Sequence, residues 1–299
     1  MPAATWASHA GSMRGGYPMD MSLTYAAPDA DLSAYITAFY EFRADVPRFE
    51  AGECADYAQI RFGFSGSGTC RFADGHIQQL PVISIIGPTT GNTNIRAEGP
   101  IHLFGAGLLP AGWGALMGFE ASMLVNRAVD ATGFFGKTLD GIMERLLAAP
   151  TVEDKAVIAS ALFRELIQRD RQAALAFTRS VDAWLAASPS PRVDDLVAVL
   201  GLSRRQVERL CKRYYGAPPK MLARKYRALR AAASLALGEG IAGDIMAENF
   251  YDQSHFIKEI KQFTGITPTR FGEALPVLAQ LKRGRVDIAG PTDPLFQGS

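Results

Sequence analysis

Residues 201–216 read GLSRRQVERLCKRYYG. The stretch holds a stop, a cap, an apolar stripe and a dense band of positive charge. Ser203 suits an N-cap, because its hydroxyl can accept one of the backbone N–H groups orphaned at a helix start. Gly216 suits the position just past a helix, where the chain turns left-handed. Val207, Leu210, Cys211 and Tyr214 recur at i, i+3, i+4 and i+7, which defines one buried face. At about 100° per residue, Arg205, Arg209 and Lys212 fall near the opposite pole, flanked by Glu208 and Arg213. Six of the ten residues from Arg204 to Arg213 are charged, and five of those six are positive. A solvated surface helix usually mixes its charges, yet from this stretch alone a solvated face and a face that meets a polyanion are both open readings.

The preceding residues narrow the use of that face. Val193–Leu200 reads as a short helix with Leu196, Val197 and Leu200 inward. Gly201 makes a sharp turn, Leu202 plugs it, and Ser203 opens the next helix. A short helix, a glycine turn and a capped helix form a helix-turn-helix. Its second helix enters the DNA major groove, where Arg can pair with guanine O6 and N7. The device recurs in residues 250–268, FYDQSHFIKEIKQFTGITP. There Asp252 is the N-cap, and Phe256, Ile260 and Phe263 form the buried stripe. Ser254, Lys258 and Lys261 lie near the opposite pole, with His255 and Gln262 beside them. Gly265 ends the helix and Pro268 forbids a restart. Between the two units runs PPKMLARKYRALRAAASLAL, a helix with Pro219 in its first turn and Leu222, Tyr226, Leu229 and Ala233 inward. A helix of about 18 residues spans about 27 Å. Such a rod can place two helices in successive major grooves, about 34 Å apart.

This layout resembles the C-terminal domain of AraC/XylS-type transcriptional regulators, two helix-turn-helix units on one long helix. The matching segments are LSRRQVERLCKRYYGAPPK and FYDQSHFIKEIKQFTGITP, and the resemblance covers residues 180–275. It implies base-edge contacts from Arg205, Glu208 and Arg209 in the first unit, and from Gln253, Ser254 and Lys258 in the second. Arg204, Lys212 and Lys261 are expected on phosphate. The sequence departs from the family at Val197, where a small Ala is usual, and at Ala217, where Ser or Thr is common. Asn249 replaces a Gly, and the helix before it, AGDIMAEN, is about one residue short. These last departures bear on the register of the second unit.

The first half reads as mixed strand and helix. YAQIRFGFSGSGTCRF (residues 57–72) alternates around a Gly-Ser-Gly turn and is expected to form a hairpin. LPVISIIGP and IHLFGAGLLP read as further short strands. The stretch after Pro110 turns helical with glycine interruptions. Thr151 and Asp154 make a capping signal for the helix that follows. The expected architecture is an α+β domain, a small cupin-like sheet or barrel with helices, followed by the all-α double helix-turn-helix domain. Expected boundaries are a disordered tail at 1–20, a sensor or dimerisation domain at 21–150, a helical linker at 151–179, the DNA-binding domain at 180–275 and a tail at 276–299. The first domain resembles, more weakly, the cupin-like sensor domains of such regulators, which bind a small effector or dimerise. If it holds a pocket, Phe104, Trp113 and Phe119 are candidates to line it, with core packing as the alternative.

Composition sets the remaining bounds. The 299 residues carry 31 Lys+Arg against 30 Asp+Glu. The near-neutral total hides an acidic first part, net −5 to Thr178, and a basic C-terminal region, net +5 over Arg179–Leu275. One module meets a polyanion and the other does not. No run approaches the ~18 apolar residues of a membrane span, and the first twenty residues lack the pattern of a secretory signal. Three scattered cysteines argue against a disulfide framework and a zinc site. A cytoplasmic, nucleoid-associated bacterial protein without cofactor or metal is expected. Its partners are double-stranded DNA, with a small-molecule effector, RNA polymerase and a second copy of the chain as candidates.

Four rival functions fit these residues less well. FGFSGSG fails the nucleophile-elbow pattern G-x-S-x-G, because the fifth residue from Gly63 is Ser67. His76 and His102 stand apart, without the clustered ligands of a metal-binding cupin. A repair enzyme anchored by the helical domain would need a reactive cysteine, and Cys54, Cys70 and Cys211 lack the required company. A purely structural helical protein leaves the two outlines on one rod unexplained. The expectation is therefore a non-enzymatic regulator that reads two adjacent major-groove segments.

Overall fold

The computed structural model describes residues 21–167, 171–188, 190–237, 243, 246 and 250–270. Both expected tails, Asn249 and most of the AGDIMAEN segment lie outside the described residues.

The first part is one antiparallel sheet with the path β1–β2–β7–β4–β6–β8. The strands are β1 (Met21–Ala26), β2 (Ile36–Ala44), β3 (Arg48–Glu53), β4 (Ala58–Arg71), β5 (Ile77–Gln79), β6 (Ile83–Ile86), β7 (Thr93–Leu108) and β8 (Ala128–Asp130). β4 and β7 are the spine, and each changes partner along its length. β7 pairs β2 through Ile101–Leu108 and β3 through Thr93–Glu98. β4 pairs β6 near its start and β5 near its end.

The expected hairpin at 57–72 is not formed. FGFSGSG instead lies inside β4, a strand of 14 residues. Its register against β7 shifts between Gly63 and Ser65 and again between Ser65 and Ser67. Gly66 takes φ +80° there. Glycines thus supply bulges that bend a long strand, where local reading saw a reversal. IHLFGAGL is likewise only the second half of β7.

The two sheet faces have different neighbours. Phe39, Phe62 and Phe104 face a core that includes helices α1 (Pro110–Leu116), α2 (Ile142–Ala148) and α3 (Val152–Leu166). Thr151 caps α3 as expected, accepting from the Asp154 N–H. Beneath this layer, fully buried Lys155 donates to the Ala149 carbonyl at 2.5 Å and lies 3.2 Å from Glu41. Burial pushes the Glu41 carboxyl up, but hydrogen bonds from His102, Lys155 and Arg43 prevail and hold it below the ordinary range. The lone His102 is therefore a carboxylate partner, 2.7 Å from Glu41.

A second core gathers α4 (Arg171–Ala186), α5 (Val193–Leu200), α6 (Arg204–Tyr215) and α7 (Pro219–Leu237) around Leu196, Val207, Cys211 and Tyr226. A third joins the end of α7 to α8 (Gln253–Thr264) through Ala228, Phe256, Ile260 and Phe263. The stretch expected as a linker is divided between two cores: α3 packs on the sheet, and α4 packs on the helical units. Among the described residues no helix is long and apolar enough to cross a membrane.

Candidate nucleic-acid interface and cavity in the sheet

The helix at 204–215 starts and stops where its sequence says. The Ser203 hydroxyl accepts from the Gln206 N–H, and the Gln206 side chain accepts from the Ser203 N–H, closing a capping box. Gly201 and Gly216, with φ +62° and +76°, bracket α6 as left-handed turns. Val207, Cys211 and Tyr214 are buried, whereas Arg205, Glu208, Arg209 and Lys212 are exposed. The second helix repeats this order. Asp252 accepts from the His255 N–H, and Gly265 closes α8 with φ +78°. Phe256, Ile260 and Phe263 are buried, while Gln253, Ser254, Lys258 and Lys261 are exposed. Among the described residues, Arg205, Arg209, Lys212, Lys258 and Lys261 take part in no ion pair. Arg204 differs, because it is paired with Asp194 of α5.

The rod α7 has 19 residues, about 28 Å of helix. It is tied to α8 by a buried carboxylate. Glu259, 0% exposed, receives Arg224 at 2.6 Å and Arg227 at 2.7 Å, with His255 Nε2 at 3.1 Å. Burial pushes its carboxyl up, but the hydrogen bonds from Arg224 and Arg227 outweigh that and hold it below the ordinary range. The cluster fixes how the second helix sits on the rod.

The rod is also tied to the sheet. Lys225, 6% exposed, donates to the backbone carbonyls of Asp56 at 2.8 Å and Thr89 at 3.1 Å. The Tyr226 hydroxyl donates to that of Tyr57 at 2.8 Å. The Ala55 N–H reaches the Phe263 carbonyl at 2.7 Å, and the Asn92 N–H reaches that of Gln262 at 2.9 Å. A Cβ on Gly216 would stand 2.7 Å from both Pro88 and Val125. Lys225 escaped sequence reading, since one lysine on a basic helix looks solvated.

Strands β1, β2, β3, β4 and β7 curl around a cavity of about 420 Å³. Leu23, Phe42, Phe49, Ile95, Ile101 and Leu103 supply apolar wall, while Tyr40, Glu53, Asp56, Gln59 and Arg61 gather polar groups. Arg61 Nη2 donates to the two Glu53 oxygens at 3.1 and 3.2 Å, and its Nε donates to the Tyr40 hydroxyl at 2.9 Å. Burial opposes the Arg61 charge, but Glu53 more than restores it and holds the guanidinium firmly protonated. Burial pushes the Tyr40 hydroxyl up. Tyr40 can cross the sheet only because residue 105 is glycine, whose Cβ would fall 2.5 Å from the ring.

The expected pocket aromatics stand elsewhere. Phe104 is 0% exposed and stacks on Phe39 at 5.9 Å. Trp113 is 1% exposed, meets Phe119 edge-on at 5.5 Å and donates to its carbonyl. None of the three lines the cavity, because they belong to the helix-covered face. The signal that could have found the cavity is Arg61, a lone cation in the apolar run YAQIRFGF, where it needs a buried partner.

Residues 196–274 match a family model described as "Helix-turn-helix domain". Over 80 residues the chain is 40% identical to the F1 operon positive regulatory protein of Yersinia pestis, covering 26% of this chain and 27% of that one. The chain thus spans about a quarter of the length of that curated relative. Among solved structures, ToxT from Vibrio cholerae is similar at a TM-score of 0.44 and 10% identity, over 84% of this chain and 97% of that one. A second ToxT structure, with unsaturated fatty acid bound, gives 0.44 and 10% over 87% and 96%. The C-terminal region of this chain is a helix-turn-helix domain. Within it, α6 and α8 are the exposed helices of two units on the rod α7.

Proposed function

We propose that the chain is a sequence-specific DNA-binding transcriptional regulator, with the sheet as its effector-responsive part. The observation that carries this reading is the pair of capped helices, α6 and α8, whose polar faces stay exposed while their apolar faces are buried on a common rod. Arg205, Glu208 and Arg209, with Gln253, Ser254 and Lys258, read base edges. Lys212 and Lys261 hold phosphate and make affinity salt-dependent. Arg204 joins them only by leaving Asp194. A ligand in the cavity bears on DNA binding through Asp56 and Tyr57, which meet Lys225 and Tyr226 of the rod. RNA polymerase and a second copy of the chain are further proposed partners.

The enzyme reading has less support. Burial pushes the Cys70 thiol up to about 11 and the Cys211 thiol to about 12, so both stay protonated and unreactive at neutral pH.

Selection of random duplex DNA by the full chain, followed by anisotropy titration across salt, tests the proposal. The expected product is a bipartite site about one helical turn across. Enrichment of no sequence would reject sequence reading altogether.

A further inference from the structure

The cavity wall carries its own statement about ligand charge. Arg61 is the one cationic side chain among the described lining residues. Its Nη2 is engaged by both oxygens of Glu53, and its Nε by Tyr40 and Gln59. Asp56 is the other lining carboxylate. Its Oδ1 accepts from the Tyr57 N–H at 2.8 Å and its Oδ2 from Gln59 Nε2 at 3.2 Å. Lys225 approaches Asp56 from the rod, at the backbone carbonyl. A ligand anion would therefore meet one guanidinium already neutralised by Glu53, with a second carboxylate close by. A ligand cation would meet carboxylates already hydrogen-bonded. Bringing an unpaired charge into such a site is strongly disfavoured, whereas the apolar wall rewards burial of apolar surface.

We infer that the cavity takes a predominantly apolar small molecule that carries no anionic group. This rests on the reading of the sheet as effector-responsive, and adds the class of effector. A volume near 420 Å³ lies in the range of drug-sized pockets. The aromatic pair Phe42 and Phe49, 5.2 Å apart, suits a ring system at the apolar end.

The test uses the full chain without DNA and two fluorescent probes sharing one ring skeleton. N-phenyl-1-naphthylamine is neutral, and 8-anilinonaphthalene-1-sulfonate is its anionic counterpart. The neutral probe should bind saturably, at least about tenfold tighter than the sulfonate. Ala97→Phe, which fills the cavity, should abolish that binding while thermal unfolding stays cooperative. Glu53→Gln frees the Arg61 charge and should move the ratio towards the sulfonate. If that variant does not fold, the wild-type ratio and Ala97→Phe decide. Equal or tighter binding of the sulfonate to wild type would overturn the inference, as would neutral-probe binding unchanged in Ala97→Phe. Because no arm contains DNA, these outcomes are independent of the duplex selection that tests sequence reading.

Discussion

At the scale of single residues, exposure separates two kinds of contact with DNA. Arg209→Ala should cost ~1–3 kcal/mol on the selected site and relax preference at one position. Lys212→Ala should weaken all sequences alike and lower the salt slope by about one. Anisotropy titrations on the selected site and its single-base variants check both, and a base-specific loss at Lys212 would exchange its role with that of Arg209. Glu259 sets a different expectation. A carboxyl held below its ordinary value stabilises the fold above the unfolded pKa, and that contribution disappears as pH falls through the folded value. Glu259→Gln leaves Arg224 and Arg227 facing a neutral amide. Near neutral pH it should lose on the order of 3 kcal/mol. In denaturant titrations the gap to wild type should close as pH drops below about 4. A gap independent of pH would show that packing, and not charge, is what the substitution removes.

At the scale of elements, what could be read from sequence follows how local the cause is. The bounds of α6 and α8 were legible because caps, stripes and closing glycines act within a few residues of one another. Ser203→Ala should therefore cost about 1 kcal/mol of stability, read as a shifted denaturant midpoint. Gly216→Ala should cost more than about 1 kcal/mol. It adds a left-handed alanine and a Cβ pressed against Pro88 and Val125. If it costs no more than a lone left-handed alanine would, the contact with the sheet is yielding. Strand β4 was illegible because Gly-Ser-Gly supports a turn and a bulge equally well, and the distant partner β7 decides between them. Phe104 and Trp113 lie in the core, the reading weighed against a pocket for them. Ring size marks a buried residue, but strand pairing shows which sheet face Phe104 occupies, and Trp113 belongs to α1.

At the scale of the whole molecule, the sheet and the helical units share contacts instead of hanging on a flexible joint. Local patterns carry no trace of this joint, because Lys225, Asp56 and Thr89 are remote from one another in the chain. Lys225→Met removes the donor to two buried carbonyls. It should lower stability by roughly 1–3 kcal/mol and separate thermal unfolding into two transitions. A single cooperative transition at the wild-type temperature would mean that the remaining contacts suffice.

Lys225 also has a chemical consequence. An amine that donates to two carbonyls beneath a folded interface is shielded from acylation, while Lys212, Lys258 and Lys261 lie open to reagent. Brief treatment with acetic anhydride, read by peptide mass, would thus mark the open lysines at once and Lys225 only when the sheet lifts from the rod. The labelling rate of this one side chain becomes a clock for that opening, and a ligand that closes or loosens the joint would slow or quicken it.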